Sequence, residues 1–414
     1  MLGKIRRLWA RDGVARGMDE KPPGLLQTIL RDHWQRAEPL LARRLPPAVA
    51  AAARAAVEKA LRCRTLANGF VRYRCLACEA FHTVCFTCKS RFCPTCGKAR
   101  AAQAVTHAQG RLLNVRHRHL TFSVPAELRP LLFHDRMLLH TVARAAAQAT
   151  LKAVATRCRQ HPPLPGVMAT VHTFGRDLAF HVHVHVLCTE GGLRADNVWQ
   201  PVTLFPAAQY RRLWQYYLLT GLRRKLKGDR GAQRLIGRLF RQYPNGFIAN
   251  VMSRYANGRK AAAYCCRYTG RPPLSERRIV AYDGQQVTFS YQDYRDGQEK
   301  TLTLPAVEFL LRLLQHVWPR YQRDVHYYGL YQPARRQAHV AAVVRASRYG
   351  DQVRPRPSLS GRDRFLQALA DQPLPCPACG APLVVDQVQF PRSCHVKANP
   401  RSPPCGPGQL SLPI

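Results

Sequence analysis

Seven cysteines lie between residues 63 and 96, six of them as the pairs Cys75/Cys78, Cys85/Cys88 and Cys93/Cys96, with Cys63 standing upstream. A Cys-x-x-Cys spacing puts two thiolates on one tight turn, where both reach a single tetrahedral ion at about 2.3 Å. Gly69 and Pro94 punctuate the stretch and no long periodic segment crosses it, so it describes a module organised by metal rather than by apolar burial. Four ligands close one structural site, so these thiols offer one full site with spares or nearly two. Spacing alone does not choose the four. Buried free cysteines are the bland alternative, but chance rarely yields such a run of pairs. A redox role would need a βαβ pattern that is missing here. Structural zinc contributes folding energy and often a DNA-contacting surface, with no chemistry of its own. A weaker echo closes the chain. Cys376-Pro-Ala-Cys379 has the form of half a zinc ribbon, while the partners on offer, Cys394-His395 and Cys405, are irregularly spaced.

Charge narrows the partner. Lys and Arg number 64 against 24 Asp and Glu, a formal net charge of +40 over 414 residues, which excludes an ordinary acidic metabolic enzyme. Only 11 of the 64 are Lys, leaving 53 Arg, whose planar fork suits bidentate phosphate contact. A polyanion, and first of all nucleic acid, is the expected partner. The best apolar stretches, 136–156 and 305–318, are interrupted by Arg144, Lys152, Arg312 and His316, short of the roughly 18 residues a bilayer span needs. The basic start MLGKIRRLWARDG leads into no apolar run. A cytoplasmic, nucleoid-associated chain with no membrane partner is expected, and in that reducing compartment paired cysteines mean metal rather than disulfides.

Four segments follow in order: a helical entry over 1–62, with Leu25, Ile29, Trp34, Leu40 and Leu41 at helical spacing; the cysteine module 63–100; a mixed segment 101–345; and a basic, Pro-rich tail 346–414 with a candidate zinc ribbon. Within the mixed segment a basic helix is expected near 98–113, then a strand from His117 to Val124 and a helical stretch over 126–158. A hairpin is expected over 167–189, turning at Gly175-Arg176-Asp177. Helical pattern covers 206–243 and 258–269. Strand-like segments at 278–291 and 299–304 flank an Asp296-Gly297 turn, and an amphipathic helix runs from Pro305 to Trp318. The fold class is α+β, an antiparallel sheet flanked by helices behind an N-terminal helical and zinc module, with a small cysteine-containing tail.

Two constellations carry chemistry. In FHVHVHVLCT, His181, His183 and His185 alternate with Val, so on a strand all three share one face about 6.5–7 Å apart. Adjacent imidazoles there can hold one divalent ion. A solvated polar face would explain one His easily and three in an apolar strand poorly. If the hairpin forms, His172 returns beside this array as a further ligand. The second constellation is Tyr264-Cys-Cys-Arg-Tyr268, an i,i+4 pair on one helix face. Two core aromatics would give the same pattern. The basic surroundings, Arg259, Lys260, Arg267, Arg271, Arg277 and Arg278, favour DNA contact and help ionise a phenol whose ordinary pKa is near 10. Tyr264 lies nearer the helix N-terminus, whose partial positive charge favours a phenolate.

These residues together resemble the rolling-circle, two-tyrosine transposases of the HUH class, the insertion-sequence ninety-one type. The matching segments are CKSRFCPTCGKARAAQ, HLTFSVPAELRPL, HTFGRDLAFHVHVHVL with the glycines at 191–192, and YCCRYTGRPPLSERRI, spanning roughly 63–330. The resemblance implies an HUH-type sheet with metal ligands His183 and His185, His181 being an extra, and nucleophiles Tyr264 and Tyr268. It implies a zinc set drawn from Cys75, Cys78, Cys88, Cys93 and Cys96, and Cys85 departs from that pattern. It implies an enzyme that nicks and joins single-stranded DNA at element ends: Mg²⁺ or Mn²⁺ polarises the phosphate and tyrosine attacks it, leaving a 5′-phosphotyrosyl link. No nucleotide cofactor is then needed, and the sequence has no GxxxxGK[ST] loop. Two other classes compete. A plasmid replication initiator or relaxase shares the chemistry but more often carries helicase motifs. A non-catalytic zinc DNA-binding protein leaves the histidine array unexplained.

Overall fold

The computed structural model describes residues 24–90, 92–158, 160–269, 272–293, 296–348, 350–355 and 374–390. Helices α1 (Leu25–Arg44) and α2 (Pro47–Leu61) open the chain, followed by β1 (Phe70–Cys75), β2 (Phe81–Cys85), α3 (Pro94–Gln109), β3 (His117–Ser123) and α4 (Leu138–Ala155). Next come β4 (Gly166–Phe174), β5 (Phe180–Thr189), the short pair β6 (Gly191–Leu193) and β7 (Trp199–Pro201), then α5 (Ala207–Lys225) and α6 (Arg230–Gln242). The second half holds β8 (Ala249–Tyr255), α7 (Gly258–Thr269), β9 (Ile279–Tyr282), β10 (Gln286–Gln292), β11 (Glu299–Pro305), α8 (Ala306–Leu314), β12 (Val325–Gly329), α9 (Arg336–Ala346) and the tail strand β13 (Leu383–Gln389). Contacts divide the described residues into two units: 58–89 belongs with 374–390, and 24–57 with the described residues from 90 to 355.

The larger unit is built on a five-stranded antiparallel sheet in the order β12-β4-β5-β3-β8. Alternation decides its two faces. Val182, Val184 and Val186 of β5, Val167, Ala169 and Val171 of β4, and Leu120 and Phe122 of β3 point into one core, which α4 and α5 close. Helix α4 meets the sheet through Ala143, Ala146, Ala147 and Ala149, small side chains that let its backbone approach closely. From α5, Trp214 is fully buried and its indole N–H donates to the Ser123 carbonyl at 2.9 Å, so its one polar group is satisfied. Each fully buried Val in this layer contributes roughly 1.5–3 kcal/mol. The opposite face carries the histidines, with Met168 and Leu187 packed against Ala108 of α3 and Ala261 and Ala262 of α7.

A second antiparallel sheet, β11-β10-β9, packs Phe289 against Phe309 of α8, and α8 in turn contacts α1. The smaller unit is a three-stranded sheet, β13-β1-β2.

Three expectations change in detail. The strand-like segment 278–291 is two strands, because Asp283 Oδ1 accepts the N–H groups of Gln285 and Gln286 and turns the chain between them. Strands β8 and β12 were not expected, and they complete both edges of the five-stranded sheet. The tail is no free-standing ribbon: β13 pairs antiparallel with β1, Phe70 opposite Gln389 and Cys75 opposite Leu383. Cys394, His395 and Cys405 lie outside the described residues.

Candidate active site

The hairpin β4–β5 sets the site. Gly175 N–H bonds to the Ala179 carbonyl at 2.9 Å and Asp177 Oδ1 accepts from Ala179 N–H at 3.1 Å, closing the turn. That turn fixes the register so that His172 stands directly opposite His183, with His185 opposite Thr170. Ring centroids are 5.1 Å apart for His172/His183, 4.7 Å for His172/His185 and 5.0 Å for His183/His185. One ring nitrogen from each of the three lies within 4.8 Å of the others. These three are the residues of the site that could hold one divalent ion. His181 is one rung farther, 5.5 Å from His183, outside that group.

Hydrogen bonding selects which nitrogens remain available. His183 Nδ1 lies 3.3 Å from the His181 carbonyl and donates to it, which leaves the Nε2 lone pair for a ligand. His185 Nδ1 lies 3.0 Å from His119 Nε2, a contact that orients the His185 ring. Burial pushes the imidazoles of His119 and His183 down to about 4, and burial together with its neighbouring histidines holds His185 well below its ordinary value. Neutral rings with available lone pairs are the state a metal requires.

His119 escaped the sequence reading. It belongs to β3, beside β5 in the sheet, and its ring is also edge-on to Tyr264 at 5.3 Å between centroids. Tyr264 projects from α7, half-buried, and packs on Tyr255 of β8 at 5.1 Å. Helix α7 packs mainly on α3 and starts hard against the segment after it: a methyl at Gly258 would sit 2.3 Å from the Leu113 carbonyl oxygen, so only glycine permits the approach. Asn257 Oδ1 accepts from Lys260 N–H at 3.0 Å and caps the helix. Arg259 and Lys260 are exposed in its first turn. The side chains of Arg267 and Tyr268, and all of Arg271, lie outside the described residues.

Beside this site the buried Glu190 carboxylate binds Arg118 at 2.7 Å and Arg254 at 2.8 Å, with Arg116 at 3.9 Å. A carboxylate with no exposed side-chain surface needs such partners, and it pins the mostly buried Arg118 of β3 and the half-exposed Arg254 of β8.

Of the expected zinc residues, Cys75 and Cys78 of the smaller unit group with Cys376 and Cys379 of the tail rather than with the other pairs of the cysteine run. Cys63 Sγ accepts the N–H of Cys88 at 3.3 Å. Cys93 and Cys96 are buried at the start of α3. Cys85 ends β2 opposite Phe70.

Residues 29–124 match the family described as "Transposase zinc-binding domain", and residues 166–339 the one described as "Putative transposase". The chain is 32% identical over 289 residues to the transposase for insertion sequence element IS801 of Pseudomonas savastanoi pv. phaseolicola, covering 66% of this chain and 68% of the relative. It is 27% identical over 340 residues to "Putative transposase y4qJ" of Sinorhizobium fredii (strain NBRC 101917 / NGR234), covering 77% and 84%. No solved structure matches. The two matched segments contain β3 on one side and β4, β5 and α7 on the other, all the strands and the helix that bring His119, His172, His183, His185 and Tyr264 together. The chain belongs to the IS91 family of insertion-sequence transposases.

Proposed function

We propose that this chain cuts and rejoins single-stranded DNA at the ends of an insertion element through a covalent tyrosine link. The observation that supports it most is the cage of His172, His183 and His185 with Tyr264 one imidazole away. The phenol oxygen of Tyr264 attacks the scissile phosphorus, the bond from phosphorus to the 3′ oxygen breaks, and that oxygen leaves as a 3′-OH after taking a proton. The 5′ end stays on the tyrosine, so the phosphodiester energy is conserved and no nucleotide cofactor is required. A divalent ion on the three histidines would polarise the phosphate oxygens. Imidazole donors suit Mn²⁺ better than Mg²⁺, which prefers oxygen ligands. Tyr268, a turn further along α7, is the proposed second nucleophile for strand transfer. Arg259, Lys260, Arg267 and Arg271 are proposed to hold DNA phosphates, and His181 to stand by as an outer ligand.

Structural zinc belongs to the same proposal. Its ligands are drawn from the cysteines of the segment 29–124 that matches the zinc-binding family.

The test is incubation with labelled single-stranded element ends and Mn²⁺, followed by a denaturing gel. A protein-linked DNA band is expected. His183→Ala with His185→Ala should abolish it while DNA binding persists, because phosphate contacts carry affinity. A plain shift without any covalent band would leave a zinc DNA-binding protein and sink the enzymatic reading.

A further inference from the structure

Two turns far apart in sequence share one geometry. In each, the first cysteine donates its N–H to the carbonyl five residues on: Cys75 to Ala80 at 2.9 Å, and Cys376 to Ala381 at 2.7 Å. In each, the residue after the second cysteine takes a left-handed backbone, Glu79 with φ 59° and Gly380 with φ 78°. Glycine adopts that conformation freely and glutamate does not, so the first turn is held in shape by its surroundings.

The turns face each other. Cys75 Sγ lies 3.4 Å from Cys379 Sγ, a partner 304 residues away, and Cys78 Sγ lies 3.6 Å from Cys376 Sγ. Zinc–sulfur bonds of about 2.3 Å set a tetrahedral sulfur–sulfur edge of about 3.8 Å. All four sulfurs fall within 4.8 Å of one another. His82 Nε2 lies 3.4 Å from Cys376 Sγ, placed to donate a hydrogen bond to a thiolate.

Energetics call for an ion here. The apolar cluster behind the turns consists of Tyr73, Cys75, Cys376 and Leu383, with Val71, Leu374 and Ala381 against it. Phe81, Val384, Val385 and Phe390 stay exposed. So few buried side chains cannot offset about 1–2 kcal/mol of backbone entropy per ordered residue, and small sheets of this kind need a staple.

We propose that Cys75, Cys78, Cys376 and Cys379 bind Zn²⁺ as four thiolates, the tail supplying half of a zinc ribbon whose other half lies in the N-terminal cysteine run. The inference rests on the zinc-binding reading above and extends it, because the matched zinc-binding segment ends at residue 124.

Zinc per chain in the full-length protein tests it. Cys75→Ser with Cys78→Ser should remove one equivalent, Cys376→Ser with Cys379→Ser should also remove one, and the quadruple variant should still remove only one. Losses that add to two equivalents, or no loss from the tail variant, overturn the proposal. Should a variant fail to fold, alkylation mapping of the unmodified chain during chelation decides. The four thiols should become reactive in one step with release of one zinc. Reactive Cys376 and Cys379 in the zinc-loaded chain, or their recovery as disulfides, would refute it. None of these readouts involves DNA, so the covalent-adduct test stands or falls independently.

Discussion

His119 lies 3.0 Å from His185 and 5.3 Å, ring to ring, from Tyr264, so one imidazole touches both halves of the proposed chemistry. The role proposed for it is to hold the His185 ring in the orientation that a bound ion would need. His119→Ala should weaken Mn²⁺ binding about 10–100-fold, the usual effect of losing a partner that orients a ligand. His119→Gln, whose carbonyl can still accept the Nδ1 proton, should recover most of it. Titration calorimetry on the three proteins is the check, and equal affinities would make His119 a packing residue. Tyr268→Phe should leave nicking without complete transfer, and adding Tyr264→Phe should abolish the covalent band on a denaturing gel. The shared face of His181, His183 and His185 was readable because period-two alternation maps directly onto one face of a sheet. His119 was not, since HRHLTF reads as an ordinary two-faced strand until its neighbour in the sheet is known.

Among elements, α7 matters most, and its limits and its helical pattern were both legible in the sequence. One electrostatic expectation weakens. Tyr264 is the seventh residue of this helix, whereas the helix dipole acts mainly within the first turn, so it lends Tyr264 little help in ionising. In the proposed reaction a bound metal and nearby arginines would supply it. The cap is testable: Asn257→Ala should cost about 1 kcal/mol in urea unfolding. Strand-transfer activity should fall further than that loss of stability implies, because α7 carries the proposed nucleophile. Strands β8 and β12 were missed for a physical reason. Their burial follows no alternation, since edge positions and neighbouring loops decide their exposure. The β9–β10 boundary was marked only by Asp283-Gly284, a turn pair set within a run of strand-forming residues.

At the scale of the whole molecule, charge and buried histidines set the response to solution conditions. Helix α6 buries Ala232, Ile236 and Leu239 and exposes Arg230, Arg234, Arg238 and Arg241. If these arginines meet DNA phosphates, Arg234→Ala with Arg238→Ala should flatten the slope of log K against log salt by about 1.4 for single strands, read by fluorescence anisotropy. An unchanged slope would place DNA elsewhere. Burial pushes His117 down to about 4 and His316 to about 3, against an ordinary 6.5. Between those values the unfolded chain takes up protons that the folded chain refuses. Stability should therefore be full above pH 6.5 and fall as pH drops toward 4, by up to about 1.4 kcal/mol per pH unit for each such histidine. Denaturant midpoints measured across that range check the sign, and His316→Asn should make the decline shallower. The same scale explains what sequence could not disclose about the tail. Nothing local to Cys376 or Cys379 names a partner 304 residues away. That separation also has a meaning in time. A ribosome adding about 5–20 residues per second needs roughly 15–60 s to travel from one half of the thiol group to the other. Throughout that interval β1 awaits the strand that will pair with it. A message cut short before codon 376 would release a product that never closes this sheet, so its assembly reports that synthesis reached the tail.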